Sequence, residues 1–169
     1  MVKANLIVQK SERVLAEHPP PPELFTFPHR RWELPELHYD PIENAYDDIE
    51  LIGFPLIDPF KLVTEEIDDK IKARDLSHYH QRVIIMYGYL VTIKNTVTIK
   101  KDRMQFATFL DSEGYFFDST HFPDTVRRYP FKGRGVYQIK GKVTSDFGFY
   151  SLEVIAIRKM AIKSDPRYS

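Results

Sequence analysis

The sequence predicts an α+β chain, mainly β, in which a short helical and extended adaptor precedes a five-stranded barrel. Three observations lead there. Most of the twelve prolines precede Arg74, so neither a sheet nor a long helix runs through the first half. After residue 82, five runs rich in Val, Ile and aromatic residues alternate with turn chemistry. Between the third and fourth runs, PDTVRRYP (123–130) has room for one or two helical turns. A chain of 169 residues, 43% hydrophobic, buries one good core with an extension rather than two.

The elements follow in order. Segment 5–17, with Leu6, Ile7, Val14 and Leu15, has the makings of a short helix that Pro19 must stop. Pro19 to Pro22 form a stiff polyproline spacer. From 23 to 39 no period holds, and extended chain is expected. At Asp40-Pro41-Ile42-Glu43 a helix starts: an N-cap carboxylate, proline at the first helical position and an acid in the first turn. Ile42, Ala45, Tyr46, Ile49 and Ile52 recur on its packing face, and Gly53 ends it. Asp58-Pro59 repeats the starting signal, with Phe60, Leu62, Val63 and Ile67 suggesting a second short helix. The organisation read here is an extended segment (1–39), an adaptor (40–81), a barrel (82–160) and a tail (161–169).

The strand runs are 82–94, 104–110, 115–120, 136–143 and 149–157, parted at Lys101-Asp102, Glu113-Gly114, 132–135 and 146–148. Five antiparallel strands with a helix between the third and fourth make the OB-fold arrangement, whose second and third strands and two flanking loops commonly bind oligonucleotides.

Charge does not add to that expectation. Lys+Arg and Asp+Glu both number 24, so the net charge is zero and any polyanion site must be local. Without cysteine there are neither disulfides nor thiolate metal ligands. No long apolar run marks a signal peptide or membrane span, and the expected location is the cytoplasm.

Certain residues carry a family resemblance. Gly88-Tyr89-Leu90-Val91, then Thr98 to Phe106 (TIKKDRMQF), Thr108-Phe109-Leu110-Asp111, Gly114, Phe122-Pro123 and Lys140-Gly141-Lys142-Val143 resemble the OB domain of bacterial DNA polymerase III alpha subunits. Asp48 to Leu56 (DIELIGFPL) resembles the element that precedes this domain in the same polymerases. The similarity spans about 40–157. It implies a single-stranded DNA-binding module of a replicative protein, with other polymerase III holoenzyme subunits, including the sliding clamp, as further partners. The palm and fingers of such polymerases have no counterpart here, so the resemblance implies no nucleotide transfer and no cofactor in this chain. A fragment of a polymerase and a separate protein both remain open.

The binding residues follow from the alternation of strand faces and from the family. The residue two before the strand-ending aspartate is internal in such domains, which makes Phe109 and, by alternation, Ala107 core, and turns Met104, Phe106 and Thr108 outward. In the related OB domains of class II aminoacyl-tRNA synthetases, the aromatic five residues before that aspartate stacks on a base, and Phe106 stands at the matching place. Tyr115 and Phe117 share a face on the third strand. Lys94, Lys100, Lys101 and Arg103 flank the first loop, with Thr92 nearby and Lys140 and Lys142 on the fourth strand; beside outward rings they would form a phosphate track. Phe147, Phe149 and Tyr150 are candidates for the opposite rim, at least one of them belonging to the core. The competing class is a protein-interaction module using the same barrel face.

Other constellations are weaker. His78-Tyr79-His80 offers two imidazoles without a third ligand, and no metal site is expected. The acidic runs at 47–48 and 65–69 read as solvated surface, and no phosphate loop or nucleophile elbow appears. Leu24-Phe25 loosely resembles the end of clamp-docking peptides, but the leading glutamine is absent, and packing against the fold is the favoured reading.

Overall fold

A computed structural model describes residues 40–168, and the expectations for 1–39, including Leu24 and Phe25, lie outside the described residues. Asp40 caps helix α1 (Pro41–Ile52), its Oδ1 accepting from the Ile42 and Glu43 amides at 2.7 and 3.4 Å. At the other end the Gly53 amide donates to the Asp48 and Ile49 carbonyls. Only Ala45 of α1 is fully buried, and Ile52, expected on the packing face, is exposed, although the Gly53 carbonyl beside it accepts from Arg134 at 2.6 Å. The second adaptor helix is a single 3-10 turn, Pro59–Leu62, capped by Asp58. Ile67 lies beyond it and packs with Val63, Tyr87, Val136 and Met160.

The remaining strands are β1 (Val83–Val97), β2 (Arg103–Leu110), β3 (Phe116–His121), β4 (Val136–Asp146) and β5 (Phe149–Lys159), with α2 (Pro123–Arg128) between β3 and β4. They close in the order β1-β2-β3-β5-β4, parallel only where β3 meets β5. That order, with the helix in its place, is the OB fold. Long β1 closes the barrel by pairing on both edges: its first half pairs with β4 and its second with β2, and a bulge between Leu90 and Thr92 lies near the change from one to the other.

The interior follows the alternation. Met86, Ala107, Phe109, Phe117, Tyr137, Ile139, Val143 and Leu152 are all at most 3% exposed. Phe109 and Phe117 stack at 5.5 Å between centroids, and Gly88 is what admits them: a Cβ there would stand 2.7 Å from the Cβ of Phe109 and from the Phe117 ring. Helix α2 covers the barrel end, with Thr125 donating to the Val154 carbonyl at 2.9 Å.

Two polar devices join adaptor to barrel. Buried Asp111, at the end of β2, accepts from the Glu113 and Tyr115 amides through Oδ1 and from the Ala73 amide through Oδ2, so one carboxylate shapes the β2–β3 turn and anchors the 3-10 segment Ala73–Tyr79. After β5 the chain returns to the adaptor. Val63 and Ile162 form an antiparallel bridge, the Thr64 amide donates to Ala161 O and the Lys163 amide to Leu62 O, so residues 161–163 are a strap rather than a free end.

Candidate nucleic-acid interface

Because β-strand side chains alternate, the barrel register fixes which residues can act together on the outer surface. Lys94, Phe106 and Thr120 are consecutive cross-strand partners on β1, β2 and β3, and Glu153 and Lys142 continue the row on β5 and β4. The neighbouring row is Thr92, Thr108, Asp118 and Ser151, in which Thr108 Oγ1 donates to Asp118 Oδ1 at 2.6 Å. Phe106 is 43% exposed, while Ala107 and Phe109 on either side of the alternation are 2% and 0%. The face therefore carries an open ring, a cation across from it, and a band of hydroxyls.

Its two rims are loops. The β1–β2 turn is held by its own hydrogen bonds: the Lys101 amide donates to Thr98 O, the Thr98 amide to Asp102 O, and the Asp102 amide to Thr98 Oγ1. Lys100 and Lys101 project from it, and among the described residues neither they nor Lys94 form an ion pair. At the other rim, Asp146 pairs with Phe149 across a two-residue turn, Phe147-Gly148, with φ of 48° and 85°. Positive φ at both central positions matches the strand twist, but a phenylalanine seldom occupies the first of them. Phe147 is 95% exposed there.

Several expected site residues fall elsewhere. Phe117 is core, 3% exposed, because β3 pairs with β2 so that its even-numbered residues face out. Phe116, 65% exposed, takes the outward place; the parity it shares with Asp118 and Thr120 is the signal for it. Tyr115, exposed in the turn just before β3, shares the parity of Phe117 but stands outside the strand. Arg103 has the parity of Gln105 and Ala107, so it projects from the opposite side of β2 to Phe106, its guanidinium donating to Asn95 Oδ1 at 2.9 Å. Lys140 pairs with Ile85 and lines a depression with Asp68, Lys70 and Tyr79, away from the Phe106 row. Lys142 is in that row but neighbours Glu153, which offsets its charge. None of Phe147, Phe149 and Tyr150 is core, since the β4–β5 hairpin runs past the barrel end. Tyr150 instead meets His80 edge-on at 5.8 Å, and among the described residues no three metal-ligating side chains converge.

No protein-family model and no curated protein matches the chain. Among solved structures it is similar to a Klebsiella pneumoniae lipoprotein described as a candidate nucleic-acid binder. The identity is 18% and the TM-score 0.38, over 49% of this chain and 77% of that one.

Behind the outer face lies a buried imidazole. Ser119 donates to the Ala107 carbonyl at 3.2 Å, so its oxygen is free to accept from His121 Nε2–H at 2.9 Å, which sets the neutral tautomer. Nδ1 is buried without a partner among the described residues, and the ring rests 4.8 Å from that of Phe131. Burial lowers the pKa of His121 to about 4. The imidazole is thus a neutral core group, one residue along β3 from the outward Thr120.

Proposed function

We propose that the barrel binds single-stranded DNA across β1, β2 and β3, as a module of a polymerase III alpha-like replicative protein. The observation that carries the reading is the pairing of outward Phe106 with Lys94 between a lysine-bearing turn on one rim and the Phe147 turn on the other. A ring stacks on any base, and unpaired lysines neighbour the backbone, so the Phe106 row itself imposes no strong sequence requirement. Phe116 lies four residues along β3 from the partner of Phe106, roughly 13 Å at strand rise, which suits two stacking points on one strand.

The replicative assignment is supported by the sequence motifs, and with it go a cytoplasmic location and other replication subunits as partners. No described helix is long and apolar enough to cross a membrane. The test is titration of fluorescent oligonucleotides at several salt concentrations. Binding that weakens with salt, and weakens further on Phe106→Ala, is the expected result. Absence of binding to any oligonucleotide overturns the reading and leaves the barrel face as a protein-interaction surface.

A further inference from the structure

The β1–β2 hairpin has a second, differently built side. Between it and α2 lies a groove of about 390 Å³, lined by Asn95, Arg103 and Gln105 on the hairpin and by Val126, Pro130 and Phe131 opposite. Its amide orientations follow from one fixed point. Arginine only donates, so the contact from Arg103 identifies the Asn95 atom as oxygen; the Gln105 atom 2.8 Å from that same oxygen must then be its NH₂. What these three lining side chains have left is one acceptor, Gln105 Oε1, and two donor groups, Asn95 Nδ2 and the rest of the Arg103 guanidinium. Among the described residues Gln105 Oε1, Asn95 Nδ2 and the guanidinium nitrogens of Arg103 other than the one on Asn95 have no hydrogen-bond partner within the fold, although Gln105 is only 6% exposed.

Resting on the strand-binding reading above, we propose that this groove seats a guanine of the bound strand. In the order Arg103, Asn95, Gln105 it offers donor, donor, acceptor. Guanine presents the complement around its O6 corner, where the Hoogsteen and Watson–Crick edges meet: N7 and O6 accept, and N1–H donates. Arginine to O6/N7 is the commonest specific base contact. Phe131 and Pro130 form an apolar wall for the base plane. β3 pairing begins at Gln105, leaving Arg103 and Met104 with no β3 neighbour, and Arg103 is exposed, so a strand on the Phe106 face would reach the groove by crossing the hairpin edge there.

The test compares oligothymidylate with the same strand carrying one guanine, adenine or cytosine, by fluorescence anisotropy at fixed salt. The wild type binds the guanine strand about tenfold more tightly than oligothymidylate. Asn95→Asp keeps the oxygen that Arg103 and Gln105 contact and replaces only the amide donor; Gln105→Met removes the acceptor. Both lose the guanine preference, and the melting temperature of each shows that the barrel is intact. Equal affinity for all strands, or preference for another base, overturns the guanine site and leaves the Phe106 face standing. Failure to bind any oligonucleotide overturns both.

Discussion

Strand β2 divides two unlike environments within a few ångströms. On one side Ala107 and Phe109 meet other side chains at nearly every surface; on the other, Phe106 and Thr108 meet solvent, Lys94 and Asp118. The same kind of ring serves opposite ends. Phe109 holds the barrel closed because its surface is removed from water, while Phe106 has surface left to give to a ligand. Loss of the first must appear in stability and loss of the second in binding, and four experiments test how cleanly the two sides separate.

The largest effect is expected inside. Phe109→Ala removes the ring stacked on Phe117 and edge-on to Tyr137, and leaves a cavity in a close-packed interior. Chemical denaturation is expected to show a loss of about 3 to 5 kcal/mol. A loss below about 1 kcal/mol would mean that the interior repacks and that the two faces are less distinct than the burial indicates.

Next is the buried imidazole. His121 titrates near 4 when folded and near 6.5 when unfolded, so the unfolded chain binds the extra proton first as pH falls. Its contribution to stability is complete above about pH 6.5 and is lost progressively toward pH 4, a change of about 3 kcal/mol. His121→Met is expected to flatten that part of the stability profile, measured by denaturation between pH 7 and 4. A profile identical to the wild type would show that the ring has access to water.

The outer face gives smaller effects of a different kind. Phe106→Ala is expected to weaken oligonucleotide binding by about 1 to 3 kcal/mol with little change in melting temperature. A large fall in melting temperature would place the ring in the core after all. Smallest in free energy, but most diagnostic, is the Lys100→Ala, Lys101→Ala pair. It lowers the slope of log affinity against log salt by roughly 0.7 for each single-strand phosphate that is no longer neutralised, whereas Phe106→Ala leaves the slope nearly unchanged.

The features readable along the chain are those made by neighbours in sequence. The Asp40 cap, the Gly53 stop, the turn residues and the apolar runs each depend on hydrogen bonds or packing within a few residues, and the strand count with an intervening helix follows from them. The outward place of Phe106 follows too, because it is separated from Asp111 by a single uninterrupted strand end. Alternation, however, states only that neighbours differ. It fixes no face until one residue is anchored, and on β3 nothing local anchors it, so the sequence pattern points Phe117 outward and passes over Phe116.

The tertiary structure decided everything that depends on which strand lies beside which. Arg103 and Phe106 are close in sequence, yet an odd separation sends them to opposite sides of one strand. Lys140 belongs to a strand whose neighbour is the far half of β1, and so it leaves the candidate track. The return of 161–163 to Val63, and the reach of Asp111 to Ala73, join segments tens of residues apart. A sequence by itself determines local conformations and an alternating pattern of faces. Only closure of the barrel, where long-range pairing offsets the entropy of bringing distant segments together, assigns each face its neighbours and so its chemistry.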